Sequence, residues 1–255
     1  HTPHVNTQTG DLLLFFHYTT PNTGTEAVTP PDGWTTIFNA ISQNFGLICV
    51  AWHIRAAGET TYTSSIANHE TGASGDSMLE WVETYRGVDP TTAIGSVTAA
   101  NSTWASSLNL GSIAAPASTS LAVGNMVCVF GGRMENVTGQ TLLTGDSLTW
   151  GTGPTGSTTT GRDAGTATQH GLNGTASAQT ITAKTITTTG TAQAGAGRMF
   201  IINAAAPQVD VDGARAITAT LTATAAADLP ISGTLAATTT RTATAALDLP
   251  ISGSL

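Results

Sequence analysis

The sequence predicts an all-β protein: an antiparallel β-sandwich, jelly-roll-like, over residues 1–206, followed by short Thr/Ala-rich β repeats over 207–255. Three observations predict it. Apolar residues alternate with a period of two, the spacing that lines one face of a strand, and not with the period of three to four that marks a helix. Gly, Pro, Asn and Asp break the alternation every few residues, as in sandwiches and barrels built of many short strands. Thr and Val, branched at Cβ and suited to a pleated surface, are abundant, while only 9% of residues are charged. A long helical chain would be rich in Glu, Lys, Leu and Arg.

The alternation places strands at Asp11 to Thr19, Thr35 to Ile41, Phe45 to Ala56, Thr60 to Ala67 and Met78 to Tyr85. Further strands are expected at Leu121 to Gly131, Thr141 to Leu148, Gln179 to Thr188 and Gly197 to Asn203. Leu12-Leu13-Leu14-Phe15-Phe16 is the longest apolar run, which suits a buried strand. Gly151 to Gly174 has almost no large apolar side chain and reads as a long exposed loop.

Beyond Pro207, Thr222 to Leu235 recurs as Thr242 to Leu255 with twelve of fourteen positions identical, a period of 20 residues. Such a period points to units that bury a face only against their neighbours. The segment around Pro207 reads as a hinge. The chain begins at His1 without Met or signal-peptide pattern and stops inside a repeat, so both ends read as cuts in a longer polypeptide.

Eight basic against sixteen acidic side chains, a net charge of -8, do not suit a phosphate-neutralising nucleic-acid binder. No apolar run reaches the roughly 20 residues of a membrane helix, so no membrane insertion is expected. Cys49 and Cys128 each sit in an apolar alternating stretch and read as buried thiols, with a disulfide between facing strands as the alternative.

Catalytic signatures are sparse. Gly75-Asp76-Ser77 lacks the flanking glycines of a nucleophile elbow. His17 and His53 lie in apolar strands and read as packed core histidines. Glu80 and Glu83, three apart on one strand, point to opposite faces and cannot serve as a glycosidase pair. Glu59 and Glu70 (beside His69) read as solvated loop charges. His1-x-x-His4 and Asp210-x-Asp212-Gly213 are too incomplete to hold a metal. No catalytic residue, metal or cofactor is therefore expected. The candidate binding residues are Trp104 and Trp150, which flank Ser/Thr/Gly-rich segments. An exposed indole there could stack on a sugar ring, and the alternative is an indole capping the sandwich edge. Asn101, Asn136 and Asn173 begin Asn-x-Ser/Thr sequons, frequent by chance in so Thr-rich a chain.

Gly10-Asp11-Leu12-Leu13-Leu14-Phe15, Thr29-Pro30-Pro31-Asp32-Gly33-Trp34-Thr35, Val50-Ala51-Trp52-His53-Ile54-Arg55-Ala56 with Glu59, Tyr85-Arg86-Gly87-Val88-Asp89-Pro90 and Ala196-Gly197-Arg198-Met199-Phe200-Ile201-Ile202 together resemble β-sandwich modules of tailed-bacteriophage virion proteins. The resemblance covers about residues 10–206. The repeats are similar to the Thr/Ala/Leu-Pro arrays trailing such modules in phages of high-GC actinobacteria, and one Lys against seven Arg fits such a genome. The resemblance implies a non-enzymatic structural or adhesive virion part, exposed on an extracellular particle: a tail fibre or minor tail protein, or alternatively a head decoration protein or head fibre. Its implied partners are other virion proteins, further copies of itself (a trimer among the options) and a host-surface glycan. A sugar-binding module of a bacterial surface or secreted protein is the rival class.

Overall fold

The structure is a computed structural model that describes residues 1–2, 5–20, 26–42, 46–68, 77–107, 109–158, 163–189, 192–205, 231–232 and 251–252. The chain divides into two units, His1–Ala206 and Pro207–Leu255. In the first unit every described element is a strand, an isolated bridge or a turn, and its strand pairs are antiparallel.

The strands of the first half are β1 (Leu12–Thr20), β2 (Ala27–Thr29), β3 (Thr35–Ser42), β4 (Gly46–Ile54), β5 (Ser65–Ala67) and β6 (Ser77–Tyr85). Those of the second half are β7 (Ile94–Val97), β8 (Ser102–Ser107), β9 (Ser120–Leu121), β10 (Met126–Arg133), β11 (Gln140–Thr141), β12 (Thr149–Ser157), β13 (Gly165–Leu172), β14 (Gln179–Thr180), β15 (Thr187–Thr188) and β16 (Gln193–Ile202). The first half makes a sheet of order β3-β4-β1-β6, and the second half makes a sheet of order β12-β13-β10-β16-β7, with β8 also paired to β16. Each sheet therefore comes from one half of the chain, whereas a jelly roll threads its strands alternately between two sheets. The strand order was not readable in the sequence.

The two sheets pack face to face. Leu12, Leu14, Phe16 and Tyr18 of β1, with Ile48 and Val50 of β4, meet Cys128 and Phe130 of β10 and Phe200 of β16 in one buried cluster. Phe16 is its hub, stacked on Trp81 at 5.3 Å and edge-on to Phe130 at 5.2 Å. The alternate residues of β1 and β4, namely Leu13, Phe15, Leu47, Cys49 and Ala51, face outward into a second cluster closed by Val28, Trp34 and Tyr62. A third cluster covers the outer face of the other sheet: Val127, Val129, Met199 and Ile201 lie beneath Leu110, Ile113, Leu121 and Ile186. With both faces covered, all nine residues of β1 are buried, which is why its sequence does not alternate.

Tyr18 shows how tightly the sheets approach. A Cβ at Gly132 of β10 would lie 2.3 Å from its ring, and one at Gly46 of β4 would lie 2.4 Å away. Only glycine leaves room for this phenol between the sheets. Gly46 also has φ 114°, a region that side chains disfavour.

Several expected elements differ. The segment Gly151 to Gly174, read as an exposed loop, contains β12 and β13, and β13 is buried at most positions. Two of its glycines are points of close contact: a Cβ at Gly153 would meet Thr168 Oγ1 at 2.1 Å, and one at Gly165 would meet the Glu135 carbonyl at 2.2 Å. Of Thr60 to Ala67 only β5 is strand, and of Thr141 to Leu148 only Thr141. Gln179 to Thr188 breaks into β14, an Ile113–Lys184 bridge and β15. The short β2, β7 and β8 had no expectation.

Cys49 and Cys128 are both buried and unpaired. The disulfide alternative fails on direction: Cys49 faces the outer cluster of the first sheet, and Cys128 faces the gap between the sheets. Burial pushes the Cys49 thiol up to about 12 and holds Cys128 well above its ordinary value.

Candidate functional site

The polar chemistry of the first unit gathers where imidazoles meet carboxylates. On β6, Glu80 and Glu83 point to opposite faces, as their spacing requires. Glu80 turns outward beside its cross-strand neighbour His17. The His17 Nδ1 lies 2.7 Å from Glu80 Oε1, while Ser64 Oγ donates to Oε2 at 3.0 Å and His1 Nε2 approaches Oε2 at 3.2 Å. The other ring nitrogen of His17 meets the Thr19 hydroxyl, two residues on along the same face of β1. Hydroxyl, imidazole and carboxylate thus stand in the order of a hydrolytic triad. However, Thr19 and His17 both have 0% exposure, so a substrate has no approach to that hydroxyl.

Glu83 turns inward, to the edge where β6 lies over β13. Trp81 Nε1 donates to Oε1 at 2.8 Å and Thr168 Oγ1 at 3.1 Å, while Tyr85 OH donates to Oε2 at 2.6 Å and His170 Nε2 lies 2.9 Å from it. Trp81 and Tyr85 come from the first sheet, Thr168 and His170 from the second, so this carboxylate links the two. Four partners on two oxygens fill its acceptor capacity. Burial alone would raise the Glu83 carboxyl, yet the hydrogen bonds from His170, Tyr85 and Trp81 hold it below the ordinary glutamate value. Glu80 behaves alike: burial opposes, and His17 and Ser64 prevail.

A third pair closes the end of β4. His53 Nε2 lies 2.9 Å from Glu59 Oε1, and Glu59 Oε2 also accepts from the Ala56 N–H at 2.8 Å and from Tyr62 OH at 3.0 Å. Glu59 is therefore a turn-fixing acceptor and not the solvated loop charge that its position suggested. Beside it, Asp11 accepts from Arg86 through both oxygens at 3.0 Å and from the Gln8 N–H at 2.7 Å. The Arg86 hydrogen bonds are the main reason the Asp11 carboxyl sits below its usual range. An open crevice lined by Asn6, Thr7, Asp11, Val82, Thr84 and Arg86 lies there.

The indoles are packed. Trp150 is 9% exposed within the outer cluster of the second sheet, donates from Nε1 to Asp146 Oδ1 at 2.8 Å and carries Lys184 Nζ at 5.5 Å from its ring centre. Trp104 packs on the same cluster, and a Cβ at Gly111 would stand 2.2 Å from its ring. The open stacking face expected of Trp150 is taken by apolar cover over the second sheet, which the sequence did not reveal, while Trp104 is half-buried against the same cluster. Asn173 is fully buried, its amide donating to the Leu121 and Ser177 carbonyls, so it serves as a turn anchor. Among the described residues no group of three or more His, Cys, Asp and Glu could hold a metal ion. His4, His69, Glu70, Asp210 and Asp212 lie outside the described residues.

Sequence reasoning placed His17 and His53 in strands but missed every histidine–glutamate pairing. Only His53 and Glu59 were near enough in the chain to suggest one. Comparison with protein-family models, with curated proteins and with solved structures finds no match.

Proposed function

We propose that the chain is a non-enzymatic structural component of a bacteriophage virion, displayed on the tail as a fibre or minor tail protein. The observation that carries this reading is what the virion-like motifs do. Gly10 and Asp11 exchange backbone hydrogen bonds with Arg55 at 2.9 Å, and Asp11 takes the fork of Arg86. Trp34 follows the turn at Pro31 to Gly33 and stacks on His53 at 5.6 Å, and His53 holds Glu59. The motifs around Asp11, Trp34, His53 and Arg86 meet at one end of the first sheet as framework, and the Asp11 and Glu59 carboxylates are filled by protein donors. That supports a rigid displayed module over a chemical catalyst. Low charge and many hydroxyls suit an exposed particle surface.

A head decoration protein or head fibre is the alternative position for the same module. Contact with a host glycan remains part of the proposal, but Trp104 and Trp150, whose rings are packed, are not its natural platform. The test is co-purification. Particles banded in a density gradient should carry the chain at a fixed ratio to the major capsid protein, as measured by peptide mass spectrometry. A chain left entirely in the soluble fraction would remove the virion reading.

A further inference from the structure

The repeats of the second unit present a pairing surface whose partner can be read from its own geometry. Ile231–Ser232 (β17) and Ile251–Ser252 (β18) pair in parallel, with Ile231 opposite Ile251 and Ser232 opposite Ser252. The offset equals the 20-residue period, so the neighbour of each strand is a copy of its own sequence. Residues 233–250 lie between them, long enough for the crossover that parallel strands need, a dozen or more residues.

Each of these strands spends one edge on its neighbour. Among the described residues neither strand has a partner on its opposite edge, whose N–H and C=O groups repeat the same sequence, and like-on-like parallel pairing has no built-in stop. Pro230 and Pro250 precede the strands and Gly233 and Gly253 follow them, which keeps each rung short. A two-stranded ladder is marginal alone, and three or more strands are needed for independent stability. One other segment stands in phase, Val209-Asp210-Val211-Asp212-Gly213, but it carries Asp where the repeats carry Pro and Ser. The in-register match is the repeat itself.

We propose that the β17–β18 ladder is an intermolecular docking edge whose occupant is the same segment of a second copy of this chain. The copies add in parallel, Ser252 of one opposite Ser232 of the next. The contact is heterologous, so it closes into a ring or extends into a file of copies. It rests on the repeats alone and stands or falls independently of the virion reading.

The test uses full-length Ser232→Cys and Ser252→Cys variants under mild oxidation, read on non-reducing gels. Strands in register stand about 4.8 Å apart, within the Cα range of a disulfide. Native Cys49 and Cys128 are buried and stay silent. Mixing the two single variants should give a cross-linked dimer, while each alone stays monomeric, and the double variant should run as a ladder. An unlinked mixture, with the double variant closed only within its own chain, would overturn the proposal. Single variants that cross-link to themselves as readily as to each other would overturn it too. As a second reading, Ile251→Pro removes a backbone donor from the ladder. It should abolish any concentration-dependent rise in sedimenting mass, and an unchanged rise would count against the proposal.

Discussion

Glu83 is the residue on which the chemistry of the sandwich turns. Its carboxylate gathers donors from both sheets and so ties one to the other. Because its folded carboxyl is held below the ordinary value, near 4.3, the stability it contributes is complete above that pH. That stability is lost as the pH falls through the lower, folded value. Glu80 and Glu59 shift in the same direction, so acid should loosen all three pairs together. Glu83→Gln keeps the shape but sets an amide donor against Trp81, Tyr85 and Thr168. It should cost about 2–4 kcal/mol at neutral pH in urea unfolding, and its stability should fall less between pH 6 and pH 3 than that of the native chain. Equal acid sensitivity in both proteins would show that Glu83 is not a stabilising link.

At the scale of elements, legibility followed side-chain size. β1, β3, β4, β6, β10 and β16 were visible because each carries several large apolar residues in strand spacing. β12 and β13 were invisible because a Gly/Thr stretch resembles a loop when read alone. Its small residues are required by neighbours far away in sequence, Gly153 by Thr168 and Gly165 by Glu135. The histidine–glutamate pairs were hidden for the same reason: His17 and Glu80, and Glu83 and His170, are partnered by cross-strand register and sheet stacking, which no local pattern encodes. The packing argument is open to direct test on β10. Gly132→Ala places a methyl group against the Tyr18 ring, and overpacking of this kind costs about 1–3 kcal/mol. The midpoint of urea unfolding should drop accordingly. An unchanged midpoint would mean that the sheets yield at this contact.

For the whole molecule, two sheets and their outer covers bury Phe15, Phe16, Phe130, Phe200 and Trp150, and Glu59, Glu80 and Glu83 accept from protein donors. The tail adds two copies of a repeat whose strands Ile231–Ser232 and Ile251–Ser252 pair in parallel. A β-sheet module followed by a repeat in which one strand pairs with its own copy suits display in many copies on a particle, the place proposed above. The virion proposal is one of place, and immunogold electron microscopy on phage particles, with antibody raised to this chain, reads that place. The account predicts gold on the particle, clustered along the tail, with label on the capsid moving the same module to a head position. Gold confined to cell debris, with bare particles, would contradict it.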